Sequence, residues 1–250
     1  MQLHTTDVPA RELGETLTAA IQKHDGDVVV LLSGGSALDV IEHLDVPCGE
    51  CRTPESTSSN KVTNQKICSL PECRTIFMMG DERGSREPEV NNTLQLKARY
   101  PEHAATKCLI ETIPEETESL VNFATRIEKT FLEKIAALQN VKIFMILGMG
   151  PDGHTAGIFP LPERSFAEVY RDDLTYVPVH LEGLTIDSRA SLTPAWILAH
   201  VDQIFGYVAG ESKSMMLESL IHESKPLHER PAELMKLHKR ADLFTDLDVT

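Results

Sequence analysis

The chain is predicted to adopt an α/β fold, a mostly parallel sheet flanked by helices in a Rossmann-like arrangement. Short apolar runs without polar alternation recur along it, which is how strands covered on both faces of a parallel sheet read. Segments with helical spacing lie between those runs, the alternation that builds parallel sheets. Each of the three most apolar runs also ends in a loop rich in glycine or charge: "SGGS", "GDER" and "GMGPDGH". In open α/β sheets ligand sites form beyond the carboxyl ends of the strands, so these loops are expected to meet in space.

Composition sets the limits. With 250 residues, 41% hydrophobic and 25% charged, the chain can bury a sizeable core. Residues 1–250 read as one domain with a cysteine-containing excursion at about 46–74. No apolar run approaches the roughly 20 residues needed to span a bilayer. The amino terminus, "MQLHTTDVPARELGE", lacks a basic stretch followed by an apolar one, so the cytoplasm is the expected compartment. A net charge of −14 argues against nucleic acid as a partner, because phosphate counterions must be replaced by basic surface. It does not argue against a small anion, since a few Arg and Lys can dominate a pocket locally.

Asp7 to His24 reads as the first helix: Asp7 caps it, Pro9 fits the first turn, and Leu13, Leu17 and Ile21 form one apolar face. "DVVVLL" (Asp27 to Leu32) is a buried strand ending in "SGGS", and "ALDVIEHL" resumes helical spacing. Cys48, Cys51, Cys68 and Cys73 then cluster as C-x2-C, sixteen residues, C-x4-C, while Cys108 stands apart. This is near the spacing of a structural four-thiolate zinc site, set against a chance cluster of reduced thiols. "TIFMM" (Thr75 to Met79) is the next strand and runs into "GDER". Thr117 to Leu138 is a long amphipathic helix with Leu120, Phe123, Ile127, Phe131, Ile135 and Leu138 on one side. "VKIFMIL" (Val141 to Leu147) is the third buried strand. "YVPVHL", "QIFGYVAG" with a helix from Ser212, and "ADLFTDL" complete the pattern.

The loops carry the chemistry. Ser33, Gly34, Gly35 and Ser36 offer backbone N–H groups, two hydroxyls and a helix start to an anion, with neither a Walker lysine nor a G-x-G-x-x-G pattern. Read alone, they are equally a tight turn. Asp81, Glu82 and Arg83 place charge at a strand end, which in isolation is a solvated loop. His154 can exchange a proton near neutral pH, and Asp152, two residues earlier, can orient its ring if the turn brings them together. Arg189 and Lys213 are candidate phosphate anchors. Lys213 opens a helix, where a cation conflicts with the dipole and a bound anion would relieve it.

In order, "LLSGGSALDVI", "DER", "GMGPDGHTAGIFP", "RASLTP" and "GYVAGESKSMML" resemble the 6-phosphogluconolactonases, within the wider glucosamine-6-phosphate deaminase and ribose-5-phosphate isomerase-like fold. The resemblance runs from about Val28 to Leu220. It implies a sugar-phosphate-binding domain and a hydrolase of carbohydrate metabolism in the pentose phosphate pathway. That enzyme opens 6-phospho-D-glucono-1,5-lactone to 6-phosphogluconate, acts as a monomer or small homo-oligomer, and needs no cofactor. By position it makes Ser33 to Ser36 the sugar-phosphate loop and Arg189 and Lys213 phosphate ligands. Arg83, with Asp81 beside it, would face the substrate's negative charge, and His154, with Asp152 near it, would be the general acid/base. Departures are Asn91-Asn92 in the shortened segment after Arg83, Gly157 where Ser is common, "EGLTIDS" ahead of Arg189, and the cysteine excursion. The alternatives are a glucosamine-6-phosphate deaminase-like enzyme and a non-catalytic sugar-phosphate-binding protein. Deaminases place Glu five residues after the loop histidine, where this chain has Phe159.

Overall fold

A computed structural model of the chain describes residues 1–46, 73–183 and 186–249. In chain order the elements are β1 (Gln2–Thr5), α1 (Pro9–Gln22), β2 (Val28–Leu32), a 3₁₀ helix (Gly35–His43), β3 (Thr75–Met79) and β4 (Asp81–Arg83). There follow α2 (Asn92–Arg99), α3 (Ala104–Lys107), α4 (Leu120–Ala136), β5 (Lys142–Gly148), α5 (Glu163–Val169), β6 (Tyr176–His180) and β7 (Ser188–Leu192). The chain ends with α6 (Pro194–His200), β8 (Gln203–Val208), α7 (Ser214–His222), α8 (Leu234–Leu237) and β9 (Ala241–Thr245).

Six strands form one sheet in the order β1-β9-β8-β5-β2-β3, with every pairing parallel. The predicted α/β class holds. β2 and β3 are buried at every position, which is why Val28–Leu32 and Thr75–Met79 read as unbroken apolar runs. The strand order reverses between β2 and β5, so a crevice opens beyond their carboxyl ends, where "SGGS" and "GMGPDGH" begin.

A second, three-stranded antiparallel sheet, β4-β7-β6, carries the other half of the site. "DER" was expected as a loop and is strand β4, because β7 supplies the backbone partners that its own polar side chains do not advertise. Gly80 joins the two sheets: its N–H donates to Leu32 and its carbonyl accepts from Leu192. α4 packs on β6 and β7. Its Phe131 ring meets Tyr176 at 5.6 Å and Trp196 at 5.2 Å, both edge to face.

Two expectations need correction. Val8 takes the N-cap position of α1 without a side-chain bond; upstream, the Thr6 hydroxyl accepts from Val8 N–H and donates to Glu12. Cys73 is disulfide-bonded to Cys108 at a Cα–Cα distance of 6.3 Å, joining the start of β3 to the end of α3. A sulfur in a disulfide is no thiolate ligand, so the four-thiolate zinc set loses Cys73. Cys48, Cys51 and Cys68 lie outside the described residues. Among the described residues, no three His, Cys, Asp or Glu side chains are grouped to hold a metal ion, and no helix is long and apolar enough to cross a membrane.

Candidate active site

The loops meet. A cleft of about 190 Å³ is lined by Ser33, Gly34, Gly35, Ser36, Asp81, Arg83, Gly150, His154, Arg189 and Lys213, among others.

At one end the chain leaves β2 through Ser33, whose buried hydroxyl donates to the Ile146 carbonyl at 2.8 Å. That bond ties β2 to β5 and occupies the Ser33 proton structurally. Gly34 is extended and Gly35 left-handed at φ 67°, and the 3₁₀ helix starts there. A Cβ on Gly34 would stand 2.1 Å from Asn92 Oδ1, so glycine is needed for the loop to lie against α2. Lys213, on the turn after β8, donates to Ser36 Oγ at 3.2 Å. Burial lowers the Lys213 pKa, while the Asp246 and Asp39 charges oppose that shift.

At the other end Arg83 on β4 and Arg189 on β7 are direct cross-strand partners. Like charges placed so are destabilising. Asp81 offsets part of the repulsion, 3.3 Å from Arg189, and Arg83 donates to the Val90 carbonyl at 2.9 Å. The Nε atoms of both arginines are buried and have no hydrogen-bond partner among the described residues. Burial draws the Arg83 pKa below the usual guanidinium value, Asp81 opposes, and Arg189 adds to the lowering. Two guanidiniums held together with unused donors suit an anion.

Alternation along β4 splits the D-E-R triplet: Asp81 and Arg83 line the cleft, and Glu82 points the other way. Glu82 accepts from the backbone N–H groups of Arg83, Asn92 and Thr93 and from the Thr112 hydroxyl. Burial pushes its pKa up to about 7, against the hydrogen bonds from Thr93 and from the Asn92 and Arg83 backbone. Glu82 therefore anchors the start of α2 to β4, outside the cleft.

Between the ends stands His154. Its turn is closed by Gly153 N–H to the Gly150 carbonyl and by Gly150 N–H to the His154 carbonyl. Asp152 Oδ1 lies 2.5 Å from His154 Nδ1 and 3.2 Å from the His154 backbone N–H. Burial pushes the Asp152 carboxyl up, but the bond and charge of His154 outweigh it and hold it below the usual carboxylate range. An ionised carboxylate can only accept, so Nδ1 carries a proton and Nε2 is the basic nitrogen of the neutral ring.

The structure brings together every nominated site residue outside the cysteine cluster except Asp152, which reaches the cleft through His154. Asn92 and Ala156 also line it. Asn92 donates through Nδ2 to the Asp81 carbonyl, and Ala156 is left-handed at φ 50°, which no sequence pattern signals. Gly157 packs against β7, where a Cβ would stand 2.7 Å from Ser191 Cβ. A side chain at this departure from the family pattern would meet β7, and Ser191 Oγ accepts from the Gly157 N–H.

The chain resembles known proteins along its whole described length. It is 27% identical over 108 residues to a 6-phosphogluconolactonase of Borreliella burgdorferi, covering 43% of this chain and 44% of that relative. A 6-phosphogluconolactonase of Shewanella baltica superposes with a TM-score of 0.68 at 17% identity, covering 98% of this chain and 95% of the other. A monomeric glucosamine-6-phosphate deaminase superposes at 0.67 and 14% identity, covering 98% and 97%. At such identities the superpositions establish the shared fold. The profile of one family matches residues 4–244, and the chain belongs to that family, the glucosamine-6-phosphate isomerases/6-phosphogluconolactonases.

Proposed function

We propose that the protein hydrolyses 6-phospho-D-glucono-1,5-lactone to 6-phosphogluconate. One observation carries this reading: a histidine with its tautomer set by Asp152 stands in the same cleft as Arg83, Arg189 and Lys213. The substrate's phosphate binds the Gly34 and Gly35 loop, Ser36 and Lys213 at one end of the cleft, and Arg189 meets negative charge beside Arg83 at the other. His154 Nε2 takes a proton from water as the water oxygen attacks C1. Arg83 faces the negative charge that grows on the carbonyl oxygen. The intermediate then collapses, the bond from C1 to the ring oxygen breaks, and the imidazolium returns its proton to that oxygen, which becomes the C5 hydroxyl. Proton transfer of this kind contributes about 10²–10⁴ in rate, and the anchored phosphate supplies positioning. Every step uses water and side chains, with no cofactor.

The reading favours a lactonase over a deaminase because Phe159, not an acid, lies against His154, with ring centroids 4.6 Å apart. The test is lactone hydrolysis corrected for spontaneous opening, wild type beside His154→Ala. Turnover is expected to fall at least tenfold while 6-phosphogluconate still binds. Unchanged turnover, or ammonia release from glucosamine 6-phosphate exceeding lactone hydrolysis, overturns the assignment.

A further inference from the structure

Phe159 touches both kinds of group the reaction needs. His154 stacks on its ring with centroids 4.6 Å apart and planes 24° from parallel. The Arg189 guanidinium carbon sits over the same ring, 4.9 Å from its centroid. An aromatic face attracts a guanidinium and stacks with an imidazole, so one ring contacts the proton carrier and an anion ligand together.

The ring is held from its own backbone. Phe159 N–H donates to Tyr170 Oη at 2.9 Å, and that hydroxyl donates to the Gly157 carbonyl at 2.9 Å. Burial pushes the Tyr170 pKa far up, so the hydroxyl remains a donor. Thr155 and Ile158 exchange N–H to carbonyl bonds around the left-handed Ala156. Phe159 itself is only 5% exposed. The segment that leaves His154 thus returns as a fixed platform beneath it.

We propose that Phe159 is a positioning residue, setting the plane of the His154 imidazole and the place of the Arg189 guanidinium through one immobilised ring. Arg189 needs such a hold, because Arg83 opposite repels it and Asp81 reaches only one of its nitrogens. The proposal rests on the lactonase reading for its kinetic consequence and not for its structural one.

The test compares Phe159→Leu, which removes the ring face, with Phe159→Tyr, which keeps it. In the wild type the His154 ring protons are expected to resonate upfield under the Phe159 ring current, and in Phe159→Leu to move downfield while distant resonances stay put. The Kd for 6-phosphogluconate, measured by calorimetry, is expected to rise at least fivefold in Phe159→Leu and to stay within twofold of wild type in Phe159→Tyr. Lactone turnover per folded molecule should follow, at least tenfold down and then restored. If Phe159→Leu only lowers Tm, with the His154 resonances and product affinity unchanged, the ring is packing and the proposal is wrong. A wild type without lactone turnover would sink the proposed reaction, while resonances and affinity would still decide the role of Phe159.

Discussion

The two ends of the cleft meet an anion by different means. At the Lys213 end the cation is half-buried, rests on an exposed serine hydroxyl, and stands on a turn beside a glycine loop. At the Arg83 end two guanidiniums are pinned opposite each other on a small sheet, with unpartnered Nε atoms and a buried carboxylate beside one of them. The first end is compliant and little strained. The second is rigid and carries its repulsion whether or not ligand is bound. A ligand gains affinity at the first end and finds charge already oriented at the second, which is where preorganisation helps a transition state.

Breaking the rigid end should have the largest effect. Arg189→Ala leaves Asp81 buried without its cation, so stability is expected to fall by about 3 kcal/mol, read from denaturant unfolding, along with loss of lactone turnover. A variant of unchanged stability would mean that Asp81 does not depend on the pair.

Glu82, behind the same sheet, makes that end sensitive to pH. Its carboxyl is raised from 4.5 to about 7, so its contribution to stability is full below about 4.5 and is lost as pH rises through about 7. The loss is about 3 kcal/mol, and Glu82→Gln should abolish this slope. Unfolding free energies of both proteins between pH 5 and 7.5 measure it; parallel curves would show that Glu82 does not titrate there.

Arg83→Ala sharpens the contrast. It removes a repelling partner as well as an anion ligand, so stability should change by less than about 1 kcal/mol while kcat/KM falls about 100-fold. If stability collapses instead, Arg83 is structural. The compliant end should give the smallest response. Lys213→Ala is expected to raise KM about tenfold with kcat nearly unchanged, the signature of lost uniform binding. A fall in kcat of the same size would place Lys213 beside the reacting atoms.

The sequence disclosed these two ends unequally. β2, β3 and β5 are legible because strands buried on both faces are nearly all apolar, and the glycine loops follow them directly. β4 and β7 are not, since "DER" becomes a strand only through β7, 108 positions away in the Asp81–Arg189 pair, and "SRASL" through β4 and β6 on its two sides. His154 was nominated from its glycines, and Asp152 beside it is a local contact. The Phe159 platform is equally short in sequence, but its meaning needs Arg189, which only the second sheet delivers. The thiol spacing likewise did not disclose the partner of Cys73, which is Cys108, 35 residues away and outside the cluster.

The hydrogen bond from Lys213 to Ser36 spans 177 positions. Closing a loop of that length costs chain entropy that local helices do not, so the contact is expected to form after them. Recovery of lactone turnover in refolding is therefore expected to lag behind recovery of helical signal, and the proposed activity would serve as a clock for non-local assembly.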